Sequence, residues 1–260
     1  MATTVKAALV TGAGSGIGKA TAFALASAGY SVGALGDDLE DVIPIAEELK
    51  RLGAKATPLR ADISVESDMR KAVAHLIAEF GRLDVVIANA GINGVWAPID
   101  NLKPEEWDRT IAVNLRGTYL TMHTTVPHLK MSGGGSIIVV SSINGTRTFT
   151  TPGATAYTAT KAGQLAMVQQ LALELARHHI RINAVCPGEI ETNIDDNTSL
   201  RGEEETAIPV VWPEGQVPIT GGAPGRSEDV AEAIVFLCSN QARHITGSPL
   251  WIDGGQGLLR

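Results

Sequence analysis

Residues 11–18 read Thr11-Gly12-Ala13-Gly14-Ser15-Gly16-Ile17-Gly18 and directly follow an apolar run at 5–10. Glycine lets a backbone turn sharply and come close to a ligand, and apolar periodicity resumes at once in a helix predicted to run to about residue 28. The first N–H groups of a helix have no partner within it, and its N-terminus carries positive potential. Strand, glycine turn and helix start together make a phosphate cradle from Gly12, Gly14, Ser15, Gly16, Ile17 and Gly18. Glycine spacing alone is a weak signal, and a glycine-rich turn with no ligand is the plain alternative. The strand before and the helix after favour a dinucleotide site.

The alternation continues along the chain. Strands are predicted at 31–35, 56–60, 85–88, 136–140, 181–186 and 249–252, and helices at 39–52, 67–80, 104–125, 156–177 and 228–239. Strands separated by helices of this length imply right-handed crossovers and a parallel sheet covered on both faces. The expected fold is therefore α/β and doubly wound, one domain over residues 1–260. With 260 residues, 44% of them hydrophobic, the chain can bury one large core. The exception is 192–225, rich in Pro, Gly and Glu, which starts where a strand ends. Segments of that length are more often lids than spacers. Its Ile194, Leu200, Ile208, Val210, Val211 and Trp212 would form an apolar wall over a substrate; a fixed pair of short helices is the alternative.

Several partners are disfavoured by composition. A formal net charge of −7 argues against a nucleic-acid backbone. Cys186 and Cys238 lie far apart without metal-ligand spacing, and a reduced, cytoplasmic setting suits them. His178 and His179 read as a solvated helix end, so no metal is expected. Strand-like residues begin within the first few positions, which leaves no room for a signal peptide. No apolar run approaches the ~20 residues of a membrane span.

The candidate chemistry lies at Tyr157 and Lys161, four residues apart on a predicted helix and so on one face. A phenol has an unperturbed pKa of about 10, and an ammonium one turn away would pull it toward the working range of a general acid–base. Ser142 follows the strand 136–140, where its hydroxyl would meet a substrate oxygen. Other candidates also close strands. Asp62 and Ile63 would hold an adenine. Asn89, Ala90 and Gly91 offer small groups where a cofactor passes, and Pro187, Gly188, Ile190 and Thr192 end the sixth strand. Asn114 interrupts a helix it suits poorly, either as a functional group or as a satisfied core residue. Asp37 and Asp38 stand about 20 residues past the glycines, where a carboxylate takes a ribose 2′-OH and repels a 2′-phosphate. NAD is therefore expected, with NADP the alternative; both carboxylates merely capping the next helix is the bland reading.

With these residues in hand, the chain resembles the short-chain dehydrogenase/reductase family along nearly its whole length. The matching stretches are TGAGSGIG at 11–18, NAG at 89–91, Asn114, Ser142, Tyr157 with Lys161, PGEIET at 187–192, and shorter ones at 225–231, 245–247 and 253–255. The resemblance implies a single-domain Rossmann fold with a seventh parallel strand. It also implies a catalytic tetrad. Tyr157 would be the acid–base, and Ser142 would polarise the carbonyl. Lys161 would hold the nicotinamide ribose and lower the phenol's pKa, and Asn114 would steady a relay water. Ile190 and Thr192 would contact the carboxamide, and the usual assembly is a homotetramer. Two features depart from the pattern. Gly145 precedes Tyr157 by two residues more than is usual, which lengthens 146–154 beside the substrate. Gly36 stands where NAD-dependent members usually carry Asp, which leaves Asp37 as ribose ligand.

The resulting expectation is an oxidoreductase that moves a hydride between NAD(H) and a small-molecule secondary alcohol or ketone, without nucleic-acid or membrane partners. An NADPH-dependent 3-oxoacyl-[acyl-carrier-protein] reductase is the alternative within enzymes. A non-catalytic dinucleotide-binding scaffold or redox sensor is the alternative of another class.

Overall fold

The computed structural model describes residues 5–192, 194, 197–207 and 217–259. Five successive strands, β1 (Ala7–Thr11), β2 (Ser31–Gly36), β3 (Ala56–Arg60), β4 (Val85–Ala88) and β6 (Gly135–Val140), join β7 (Ile180–Pro187) and β9 (Pro249–Ile252) in one seven-stranded sheet. Its order is β3-β2-β1-β4-β6-β7-β9 and every pairing is parallel. Successive side chains of a strand point to opposite faces, so the sheet feeds two cores. Leu9, Val86, Ile137 and Ile182 face one side, packed with α3 (Glu66–Phe80), α5 (Gly117–Met131) and α6 (Thr155–Ala176). Ala8, Val10, Ile87 and Val185 face the other, under α1 (Gly16–Ser27), α2 (Leu39–Arg51) and α8 (Ser227–Cys238). The doubly wound α/β architecture expected from the alternation is what the chain forms.

At the N-terminal ends of the strands, buried Asp84 accepts from the Ala7 amide at 2.9 Å and from Arg82 at 2.6 and 2.8 Å, tying β1 to β4. At their C-terminal ends lie the candidate site residues. The sheet order reverses between β1 and β4, and open parallel sheets present their crevice at such a point.

Two features depart from the sequence-based reading. The helix expected at 104–125 is broken into α4 (Pro104–Thr110), a π-helical turn (Ile111–Arg116) and α5. The wider turn lets Asn114 aim its side chain across at Ile92. Segment 192–225 also holds regular structure. It contains β8 (Thr198–Leu200), paired in parallel with β5 (Gly94–Trp96), then α7 (Glu203–Thr206) and a 3-10 turn at Pro218–Thr220. Strands of three residues have no alternation to read. Here they are specified by contacts distant in sequence: Asn93 Nδ2 donates to Thr198 Oγ1 at 2.7 Å, and Arg201 bridges Glu106 at 2.8 Å. Leu200 turns to solvent at 56% exposure, so it forms no apolar wall. The expectation for Ile208, Val210, Val211 and Trp212 lies outside the described residues. Among the described residues no helix is long and apolar enough to cross a membrane, and no cluster of side chains has metal-ligand form.

Candidate active site

A cleft of about 1120 Å³ opens over the C-terminal strand ends. That exceeds the ~300–1,000 Å³ usual for a small-ligand pocket, leaving room for a dinucleotide beside a second molecule. Its floor begins at the glycine turn. Gly12 and Gly16 sit at φ of +65° and +50°, where a side chain would be strained. A β-carbon on Gly18 would collide with the Gly12 carbonyl, so α1 starts tight against the turn. Ser15 is the N-cap of α1 and also lines the cleft, but its hydroxyl does not cap the helix. Gly14 and Ile17 line the same wall.

Asn89 lines the cleft and also braces this turn. Its Nδ2 donates to the carbonyls of Thr11 at 3.0 Å and Gly12 at 3.2 Å. Thr11 Oγ1 accepts from the amides of Asn89 and Ala90 at 3.0 and 3.1 Å, and donates to Ile87. Gly91 is small for a specific reason: a β-carbon there would lie 3.1 Å from Asn114 Oδ1 and 3.8 Å from Lys161 Nζ.

The two carboxylates after β2 separate. Asp38 caps α2, accepting from the Glu40 amide at 2.9 Å, while Asp37 lines the cleft. The bland reading therefore holds for Asp38 only. Arg60, at the end of β3, donates to the Asp37 carbonyl at 3.2 Å, so a cation lies at this corner despite the 23-residue separation. Asp62 accepts from the amide and hydroxyl of Ser64 through one oxygen, at 2.8 and 2.7 Å. Ile63 beside it is buried against Gly117.

Tyr157, Lys161 and Ser142 line the cleft's inner wall, all buried, and Asn114 lies fully buried behind Gly91. Ser142 Oγ accepts from the Asn144 amide at 3.1 Å, and its hydroxyl acts to lower the pKa of the Tyr157 phenol. Lys161 Nζ lies 5.4 Å from the centre of the Tyr157 ring and donates to the Val140 carbonyl at 3.0 Å. One expectation changes here. The phenol is not pulled down toward neutrality; burial pushes it up to about 12, only partly offset by Ser142. Burial likewise pulls Lys161 down to about 8. Desolvation disfavours both charged forms and is the largest cause of each shift. Asn114 is held entirely by protein partners. Its side chain accepts from the Ile92 amide and donates to the Ile92 carbonyl, both at 2.8 Å. Its own carbonyl accepts from Thr118 Oγ1 at 2.7 Å and Gln164 Nε2 at 2.9 Å. Both lone-pair directions are taken by protein.

The loop after β7 closes the far side. Pro187 and Gly188 line the cleft, and Gly188 packs against Asp253 and Gln256. Ile190 bridges to Gly225, which pins the end of the 192–225 segment, and Thr192 stands against Gly16 of the glycine turn. Sequence reasoning did not single out Trp96, Asn144, Thr151 or Gln256, which also line the cleft. Trp96 sits 6.2 Å from the Tyr157 ring, centre to centre. These residues belong to no motif. The β5–β8 pairing brings Trp96 to the site, the C-terminal turn brings Gln256, and the loop between β6 and α6 brings Asn144 and Thr151.

Comparison with known proteins follows this geometry. A family model described as short chain dehydrogenase matches residues 6–202. The crystal structure of a 3-ketoacyl-ACP reductase from Sinorhizobium meliloti 1021 is similar at 72% identity and a TM-score of 0.95, over 98% of this chain and 100% of that one. A 3-ketoacyl-(acyl-carrier-protein) reductase from Brucella melitensis, complexed with NADH, is similar at 34% identity and a TM-score of 0.85, over 97% of this chain and 98% of that one. Cyclohexanol dehydrogenase of Acinetobacter sp. (strain SE19) is 37% identical over 249 residues, 96% of this chain and 94% of that protein. With the family model matching residues 6–202 and these relatives similar over nearly the whole length, the chain belongs to the short-chain dehydrogenase family of oxidoreductases.

Proposed function

We propose that the protein moves a hydride between NAD(H) and a secondary alcohol or ketone, with Tyr157 as the acid–base. The observation that carries this reading is the nearly buried Tyr157 phenol lining the cleft together with Ser142, with Lys161 one helical turn along the same cleft wall. The glycine turn would hold the pyrophosphate, Asp37 the adenosine ribose, Asp62 and Ile63 the adenine, Tyr157 and Lys161 the nicotinamide ribose, and Ile190 and Thr192 the carboxamide. The nicotinamide supplies or accepts the hydride. In reduction, Ser142 donates to the substrate carbonyl oxygen and Tyr157 gives its Oη proton to that oxygen. In oxidation, the same phenol oxygen must first be ionised to take the proton back. Asn114 clamps the Ile92 backbone, which holds the Gly91 corner beside Lys161 in place.

A 3-oxoacyl-[acyl-carrier-protein] reductase using NADPH is the second reading, favoured by the names of the two similar crystal structures. Two nearby cations are already paired, Arg201 with Glu106 and Arg147 with Asp253, whereas the exposed Arg109 lines the cleft without an ion pair among the described residues and is the charge an acidic carrier protein would meet. A sensor without turnover has no use for both Tyr157 and Lys161. Assays of alcohols, sugars, hydroxysteroids and 3-oxoacyl thioesters with both cofactors separate the three readings. NADH binding without turnover of any of them favours the sensor.

Tyr157→Phe should bind NADH normally and lose at least the ~10²–10⁴-fold that general acid–base catalysis supplies. At neutral pH a phenol near 12 and an ammonium near 8 are both protonated, which loads the site for reduction. Ketone reduction should therefore fall as pH rises past about 8, where Lys161 loses the charge that makes the phenol a better acid, while alcohol oxidation, which needs the phenolate, should climb only toward pH 12. Near-wild-type turnover by folded Tyr157→Phe, or reduction that accelerates with pH, contradicts this assignment.

The cofactor preference follows from Asp37. The unmodified enzyme should show the higher kcat/KM with NAD. Asp37→Arg should move the ratio toward NADP by roughly one to two decades, the worth of ~1–3 kcal/mol for one charged contact. A tenfold preference of the unmodified enzyme for NADP(H) would mean that the nearby Arg60, not Asp37, governs this corner.

Residues 192–225 are proposed as the substrate-covering segment, because Ile194 and Asn197 line the cleft. Their backbone amides should exchange with solvent more slowly once NADH and a substrate analogue are bound. Equal protection with and without ligand identifies a fixed wall.

A homotetramer is proposed on the outward face of α6. Ala159, Ala166 and the 82%-exposed Leu173 are open to solvent, whereas Gly163 and Ala162 pack on Leu115 and Gly145 of the same chain. Small exposed residues let a second helix approach in an isologous contact. Light scattering at micromolar concentration should give four times the chain mass; a monomer rejects the assembly.

A further inference from the structure

Arg147 lies in the lengthened stretch before the catalytic helix and ties that stretch to the end of the chain. Its guanidinium carbon stands 3.8 Å from the centre of the Trp251 ring, and its Nη1 lies 3.7 Å from Oδ2 of the buried Asp253. Trp251 Nε1 donates to Thr146 Oγ1 at 3.1 Å, and Thr146 Oγ1 donates to the Ser142 carbonyl at 2.6 Å. A short relay thus joins the stacked indole to the backbone of the serine that faces the substrate.

The other side of the contact is equally organised. Asp253 accepts from the amides of Gly255 and Gly257, both at 3.1 Å, which shapes the turn after β9. From that turn Gln256 accepts the Glu189 amide at 2.7 Å and reaches the cleft. A β-carbon on Gly257 would lie 2.8 Å from Asp253 Oδ2 and 3.1 Å from Arg147 Cδ, so the bare backbone lets the turn close on both. The C-terminal turn therefore touches both the 143–151 loop, whose Asn144 and Thr151 line the cleft, and the loop after β7.

We infer that Arg147 is a positioning residue: through Trp251 and Asp253 it locks the 143–151 loop and the 253–257 turn into one wall that sets where the substrate carbonyl meets Ser142 and Tyr157. Arginine suits the place because its planar guanidinium stacks on an indole while its edge faces a carboxylate. Lysine keeps the charge and the reach but loses the stack. The kinetic consequence rests on the proposed hydride transfer; the mechanical one does not.

The test uses Arg147→Met and Arg147→Lys in the full-length protein. Under hydrogen exchange, Arg147→Met should speed both 143–151 and 253–257 by about tenfold, local openings being separable from global unfolding, and leave β1 and β4 unchanged. With a ketone from the substrate panel, KM should rise about tenfold, the scale of a slightly misplaced substrate, while kcat stays within about threefold and NADH affinity within about twofold. Arg147→Lys should recover part of the loss in KM, and it carries the same comparison if Arg147→Met does not fold. Faster exchange in one segment only, or in neither, overturns the inference. So does a joint loss of kcat, NADH affinity and KM, the mark of general loosening. If the unmodified enzyme turns over nothing in the panel, the proposed reaction fails and the exchange result alone decides the clamp.

Discussion

The ligand face depends on how β1 and β4 part at their C-terminal ends. β1 pairs with β2 on one side and β4 on the other, so the helices that follow β1 and β4 go to opposite faces of the sheet and leave a crevice between them. Thr11 and Asn89 hold the two lips of that crevice through five hydrogen bonds to backbone groups. Buried backbone groups must be satisfied, and here the partners are side chains because the strands have already diverged. The glycine turn is consequently a rigid cradle. At the opposite ends of the same strands, Asp84 and Arg82 do the matching structural task far from any ligand.

The reactive groups are held at an energetic cost that this scaffold sustains. A lysine lowered from 10.5 to about 8 corresponds to roughly 3 kcal/mol between its two protonation states. The phenol is displaced in the opposite direction for the same reason, loss of water. Two buried groups that each resist ionisation can change protonation with the charge of whatever enters the cleft. An oxidised nicotinamide is cationic, and its approach would favour the phenolate, which alcohol oxidation requires. The Val140 carbonyl, which accepts from Lys161, keeps the ammonium oriented meanwhile.

Specificity is built from other parts of the chain. The glycine turn, the ribose corner and the Tyr–Lys pair use strand ends and one helix. The side of the cleft proposed for the substrate is lined from β5 by Trp96, from the 143–151 loop by Asn144 and Thr151, and from the C-terminal turn by Gln256. Pairing with β8 joins β5 to the segment after β7. Relatives that share the dinucleotide half carry names as different as cyclohexanol dehydrogenase and 3-ketoacyl-ACP reductase. That fits a scaffold in which loops choose the substrate.

By itself the sequence determined the sheet, the crossover helices, the glycine cradle and the Tyr157–Lys161 pair. Each is encoded within a few residues: a 2- or 3.6-residue period, glycine where only glycine fits, or an i, i+4 spacing. The tertiary structure decided what depends on contacts between distant residues. It separated Asp37 from Asp38, turned Asn114 into a clamp on Ile92, and brought Arg60 to the ribose corner across 23 positions. It also raised the phenol's pKa where spacing alone predicted a fall, because spacing records the neighbouring ammonium but not the water that burial removes. Desolvation and long-range pairing are properties of the whole packed molecule, and no local stretch of sequence carries them.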